Sequence, residues 1–172
     1  MKPKSKGRGV REPQREQAVH GFGLSKEYVH DTYKCRGKLP EPTACPRCGA
    51  VFHKGRWTWA PRPDGAHEEV CPACHRVEDK YPAGMVHLSG PFFKTHRDEV
   101  LHAVRHQEEE AKREHPLSRI IGIEESEEGV VISTTDTHLP GRIGEALRHA
   151  YHGELEHHYA EDARLLRMSW KR

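Results

Sequence analysis

The chain has 172 residues, 34% of them hydrophobic and 31% charged, with 28 Lys+Arg against 26 Asp+Glu for a formal net charge of +2. That length admits one compact domain plus a small module rather than two large domains, and the thin apolar fraction implies that part of the chain does not pack. No run approaches the roughly 18 apolar residues of a membrane span and the start lacks the apolar stretch of a secretory signal, so a cytoplasmic protein that does not enter the membrane is expected.

Charge is unevenly placed: residues 1–44 carry +5, residues 45–82 carry +1 and residues 83–172 carry −4. Lys2, Lys4, Lys6, Arg8 and Arg11 crowd the first eleven residues without an acid among them. Such a run repels itself and buries too little apolar surface to offset its ordering entropy. Residues 1–34 are therefore expected to be a basic, largely disordered arm. It serves either to reach phosphates by counterion release or simply to keep the chain in solution.

Residues 35–82 hold the strongest motif. Of five cysteines, four fall as Cys45-Pro46-Arg47-Cys48 and Cys71-Pro72-Ala73-Cys74, with 22 residues between the pairs. Two C-x-x-C knuckles at this separation are the signature of a tetrahedral thiolate zinc site, because each turn aims both sulfurs one way. Gly49 supplies the permissive dihedrals of the first turn, whereas His75 stands at the equivalent place in the second. A disulfide pair is disfavoured by a reducing compartment. A thioredoxin-like site requires a C-x-x-C opening a helix after a strand, a context expected for neither knuckle. Four cysteines close the zinc shell and leave no place for a substrate, so the site reads as structural. Cys35 is a bystander, and His53, His67 and His75 are potential replacement ligands. The fifteen histidines are scattered, unlike those of a metal-storage tract.

Between the knuckles, Val51 to Trp59 reads as a short β segment turning at Gly55, stopped by Pro61, Pro63 and Gly65. The expected result is a four-cysteine zinc ribbon, whose small hairpins need the metal because their own core is too small. Lys54, Arg56, Trp57, Trp59 and Arg62 interleave cations with aromatics, a combination that suits RNA. The alternative use of Trp57 and Trp59 is to cover the ribbon core.

Residues 83–172 read as one α/β domain. Met85–Gly90 alternates like a strand, and Thr95–His115 is helical with Val100, Leu101, Val104 and Ala111 on one face until Pro116 stops it. Ile120–Ile123 and Val130–Ser133 predict a hairpin. Leu139, Ile143, Ala146, Leu147, Ala150 and Tyr151 mark a second helix, with Thr137 as N-cap and Gly153 as its end. Strands are expected at 155–159 and 165–170. The order β-α-β-β-α-β, with room for an extra edge strand, predicts a ferredoxin-like α+β plait whose uncovered face is a frequent RNA-binding surface. No nucleophile elbow, phosphate loop or H-E-x-x-H motif is present. Asp136 and His138 come nearest to an acid–base pair, but their place marks a helix start, and the glutamates at 108–110 and 124–128 read as solvated.

Cys-Pro-Arg-Cys-Gly, a Trp-containing spacer, Cys-Pro-Ala-Cys, and then a strand and a helix resemble the family of nonsense-mediated decay protein 3, the large-ribosomal-subunit export adaptor. Glu128-Gly129-Val130-Val131-Ile132-Ser133-Thr134-Thr135 followed by Arg142-Ile143-Gly144-Glu145-Ala146-Leu147 is similar to that family's glycine-strand-helix segment. The resemblance covers roughly Cys45 to Trp170, as in a small bacterial relative. It implies binding to the large ribosomal subunit or its ribosomal RNA through the zinc module and the α/β domain. It departs from the family in having one pair-set of zinc knuckles and in ending soon after the plait, so nuclear export is not implied.

The combined expectation is a non-enzymatic, Zn2+-stabilised, ribosome-associated RNA-binding protein acting in assembly, quality control or dormancy, with no small-molecule substrate. Its rivals are a protein–protein adaptor in which the ribbon is only structural, and a metal-handling protein that uses its histidines.

Overall fold

The computed structural model describes Tyr33, residues 37–160 and residues 165–172. The basic arm with Lys2, Lys4, Lys6, Arg8 and Arg11 lies outside the described residues, as does Cys35.

The first sheet is built from very short strands: β1 (Thr43–Ala44), β2 (Val51–His53), β3 (Arg56–Thr58) and β4 (His67–Glu68), in the order β3-β2-β1-β4. β2 and β3 pair His53 with Arg56, so Lys54-Gly55 is a two-residue turn, with φ of 51° and 77°. Positive φ at both positions is what lets so short a turn follow the strand twist, and Gly55 takes it without strain. Next comes α1 (Pro72–Glu78). It corrects the expected ribbon in its second half, where the Cys71–Cys74 knuckle opens a helix instead of closing a hairpin. Pro72 sits at the start of that helix, where its missing N–H costs nothing, and Cys71 is the N-cap. The helix runs on through His75, so no glycine is needed there.

The second sheet belongs to the α/β domain: β5 (Gly84–Ser89), α2 (Pro91–Thr95), α3 (Arg97–Glu114), β6 (Ile120–Glu125), β7 (Gly129–Thr134), α4 (His138–Tyr151), β8 (Glu154–Ala160) and β9 (Leu165–Lys171). Its order is β6-β7-β5-β9-β8, antiparallel throughout except for the β5–β9 neighbours. A four-stranded plait would place a single last strand antiparallel to β5. Here β8 takes the edge and β9 folds back between β8 and β5. Side-chain content accounts for the exchange: β9 turns Leu166, Met168 and Trp170 to the helix side, whereas β8 offers Leu155, His157 and Tyr159 at the matching positions. The more apolar strand takes the covered place, and Trp170 and Met168 are buried.

The helices pack on one face over Val86, Leu88, Val130 and Ile132, meeting them with Phe93, Val100, Val104, Leu139, Ile143 and Leu147. At the start of α4 the Thr137 side chain makes no capping bond. Asp136 does that work, its Oδ1 accepting from the His138 and Leu139 N–H groups at 3.0 and 2.8 Å. Both sheets lie within one compact unit, Asp31–Arg172. No helix among the described residues is long and apolar enough to cross a membrane.

Two outcomes follow for stability. Asp136→Ala should lower unfolding free energy by about 1 kcal/mol in a denaturant titration, the worth of an N-cap, while His138→Ala should be near neutral. A Cβ at Gly129 would lie 1.9 Å from the Leu88 carbonyl oxygen, whereas one at Gly122 would meet nothing within 4 Å. Gly129→Ala should therefore cost about 1–3 kcal/mol, and Gly122→Ala should stay within about 0.5 kcal/mol.

Candidate metal centre

The two knuckles converge by different local means. In the first, the Gly49 N–H donates to the Cys45 carbonyl at 2.9 Å and the Cys45 N–H to the Ala50 carbonyl at 2.8 Å. Gly49 itself has a φ of 78°, the left-handed turn expected of it. In the second, Cys71 and Cys74 are the N-cap and third residue of α1, one helical turn apart, which puts their sulfurs on one side. All four sulfurs lie within 4.8 Å of one another, close enough to hold one metal ion. Cys45 and Cys74 are 3.8 Å apart at Sγ, as are Cys48 and Cys71. A tetrahedron with zinc–sulfur bonds of about 2.3 Å has edges of about 3.8 Å, so the donor set fits zinc in spacing as well as in chemistry. A disulfide would need a separation of about 2.05 Å. The helix-opening C-x-x-C, taken alone, follows a strand as a thioredoxin-like site would, contrary to the expectation from sequence. Its sulfurs face a second C-x-x-C, which fits metal binding better than a two-cysteine redox site.

N–H donors surround the sulfurs. The Cys71 N–H lies 3.3 Å from Cys45 Sγ, the Ala50 N–H points at Cys48 and the Cys74 N–H at Cys71. The remaining donor comes from the α/β domain. Arg119, just ahead of β6, donates through Nη2 to Cys48 Sγ at 3.0 Å and through Nη1 to Cys74 Sγ at 3.3 Å, with Cys71 Sγ 3.9 Å from Nη2. Without metal, burial pushes the Cys71 and Cys74 thiols up. Burial also opposes ionisation of Cys48, but the Ala50 N–H and then the Arg119 guanidinium outweigh it and bring that thiol down to about 7. Metal binding must therefore displace protons from the more reluctant sulfurs.

The other predicted residues are spread over the module. Trp57 packs against the cysteine cluster together with Val70 and Leu117, and its ring is 5.5 Å from that of Phe52. Trp59 remains 40% exposed, yet its Nε1 donates to the Lys112 carbonyl of α3 at 2.6 Å, and the Arg119 guanidinium lies 5.9 Å from its ring centre. Both tryptophans thus have contacts inside the protein. Arg62 pairs with Glu68 at 2.6 Å. Lys54 and Arg56 are exposed at the β2–β3 turn, and their side chains make no ion pair among the described residues. His53 faces Glu41 and His67 faces Glu69, so neither joins the sulfur cluster, nor does His75.

Arg119 carries no motif. It stands alone in the loop between a helix and a strand, and only the tertiary fold brings it to the sulfurs. Comparison with protein-family models, with curated proteins and with solved structures finds no match.

Purified wild-type chain should hold about one zinc equivalent by elemental analysis. Cys48→Ser or Cys74→Ser should strip it and raise amide exchange through residues 43–80, while β5 and β7 keep their protection.

Proposed function

We propose that this chain is a zinc-stabilised, non-enzymatic RNA-binding protein that associates with the large ribosomal subunit. The single observation behind it is the pair of exposed cations Lys54 and Arg56 on either side of Gly55, neither held in an ion pair among the described residues and both carried on a hairpin that a metal would hold rigid. Cations held on a rigid element lose little freedom when they meet phosphates, and the excess positive charge of residues 1–44 adds to the same attraction. The four-thiolate donor set supports a structural metal, since it would leave zinc without an open position. The ribosome as the RNA's source rests on the sequence resemblance alone, and assembly, quality control and dormancy are all compatible with it.

One observation favours the adaptor reading. The uncovered face of the larger sheet carries Glu124, Val131, His87, Ser169 and Glu156 in one row across its five strands. Tyr159 and Trp170, the only tyrosine and tryptophan in those strands, which hold no phenylalanine, take helix-side positions. A mixed polar face whose stacking groups are His87, His158 and Arg167 offers bases less than one lined with Phe, Tyr or Trp. It is a better match for another protein than for RNA.

The test is binding to purified large subunits over a salt series. An RNA contact should weaken steeply as salt rises, and Lys54→Ala with Arg56→Ala should reduce the slope of log affinity against log salt by roughly 1.5. Binding that ignores salt and survives both substitutions would overturn the RNA reading in favour of the adaptor.

A further inference from the structure

The guanidinium of Arg119 is the one group of the α/β domain, among the described residues, whose nitrogens reach the sulfur cluster, and it reaches both knuckles at once: Cys48 from the first and Cys74 from the second. Hydrogen bonds within the α/β domain also orient it. The Arg119 N–H donates to Thr135 Oγ1 at 2.9 Å, the Thr135 N–H donates back to the Arg119 carbonyl at 2.9 Å, and Nε donates to the Pro116 carbonyl at 2.7 Å. These bonds aim the fork at the sulfurs. A half-buried guanidinium facing neutral thiols would be poorly served, because a thiol is a weak acceptor. Facing thiolates, it makes charge-assisted hydrogen bonds. Zinc with four thiolates carries a net charge of −2, and one guanidinium halves it.

We infer that Arg119 is a working part of the metal centre, so that metal occupancy and the docking of the zinc module onto the α/β domain form one linked equilibrium. This rests on reading the four sulfurs as a metal site. Three further contacts lie along the same seam: Leu117 against the cysteines, Trp59 Nε1 on the Lys112 carbonyl, and the Trp59 ring over Arg119. Metal keeps the sulfurs anionic and in place, which holds Arg119, which holds the seam. Linkage makes the effect reciprocal: whatever factor Arg119 adds to metal affinity, the metal adds to docking. A module that lost its zinc, to a chelator or to a competing metal-binding protein, would let go of the α/β domain as well as lose its own fold.

The test uses the full chain with Arg119→Gln and Arg119→Lys. Competition against a chromogenic chelator with zinc alone should show Arg119→Gln binding roughly 10- to 100-fold more weakly, the usual cost of losing a group that holds a metal ligand. Arg119→Lys, which keeps the charge but cannot span two sulfurs, should fall between. In the cobalt-loaded protein the sulfur-to-metal charge-transfer band should move to lower energy in Arg119→Gln, since an unbonded thiolate gives up its electrons more readily. A residue that merely filled space would leave that band where it was. If Arg119→Gln does not fold, the wild-type chain still decides the linkage: stripping zinc with a chelator should raise amide exchange at residues 110–119 as well as at 43–80. Wild-type protein that binds no metal would overturn the metal reading itself. Metal-binding wild type with unchanged affinity and spectrum in Arg119→Gln, or with residues 110–119 still protected after zinc removal, would overturn only the linkage.

Discussion

Four sulfur atoms within 4.8 Å of one another, with Cys45, Cys71 and Cys74 buried, pose an electrostatic problem that shapes the rest of the molecule. As thiolates they repel one another and have lost most of their water. As thiols they are a loose, apolar group with too little bulk to hold a module whose longest strand is three residues. A divalent ion would resolve the first difficulty and make the second harmless, because metal–sulfur bonds would replace the core that the module lacks. The negative charge left over would be met by the N–H groups of Ala50, Cys71 and Cys74 and by the Arg119 guanidinium, all of which point at the sulfurs. The first three are local and come with the knuckle turns. The fourth is not, and it ties the module to the neighbouring sheet.

That seam depends on how the α3–β6 connection is built. Pro116 ends the helix by denying it an N–H donor, and the chain then turns through Leu117, Ser118 and Arg119 into β6. Thr135, at the far end of β7, receives this turn: its hydroxyl donates to the Leu117 carbonyl at 2.6 Å while its backbone pairs with Arg119. A single threonine thus fixes both the apolar residue that packs on the cysteines and the charged one that hydrogen-bonds to them. Thr134 and Thr135 are both buried and both satisfied, so this corner is a position where a polar side chain positions a loop and adds nothing to the apolar core.

Local pattern made much of this legible. The strands around Val86, Ile123 and Ile132 and the helices carrying Val104 and Ile143 follow from the spacing of apolar side chains, and the metal ligands from cysteine spacing. Three things were hidden, each for a physical reason. The helix opened by Cys71 is only seven residues long, too short for an apolar period to show, and glycine's absence after Cys74 was its one mark. The place of β9 depends on a comparison between two strands of similar length, decided by whether Trp170 or His157 is the cheaper side chain to cover. Arg119 owes its role to two segments 45 or more residues away in sequence, and nothing in its neighbours announces it. The capping of α4 was near at hand, and there Asp136 outcompetes Thr137 because its longer reach lets one oxygen serve two N–H groups.

The uses already made of the aromatic residues limit how the module can meet RNA. Trp57 walls the sulfur cluster, Trp170 is buried with its Nε1 donating to the His152 carbonyl at 2.8 Å, and Trp59 spends its indole N–H on α3 while keeping part of its ring in solvent. Stacking on bases is thereby left, in the module, chiefly to the part-exposed ring of Trp59 and to Tyr81 beyond α1, and the sheet face holds no Phe, Tyr or Trp. Beside these rings the described part of the module offers charge, chiefly Lys54 and Arg56, because Arg47 and Arg62 are already paired with Glu78 and Glu68. Contacts of that kind recognise phosphate spacing and shape but not base identity. On the proposed RNA-binding reading, selectivity would have to come from the geometry of a folded RNA surface against a rigid hairpin, which is where a metal that locked the hairpin would have its functional value. A flexible tip with the same two cations would bind any polyanion about equally.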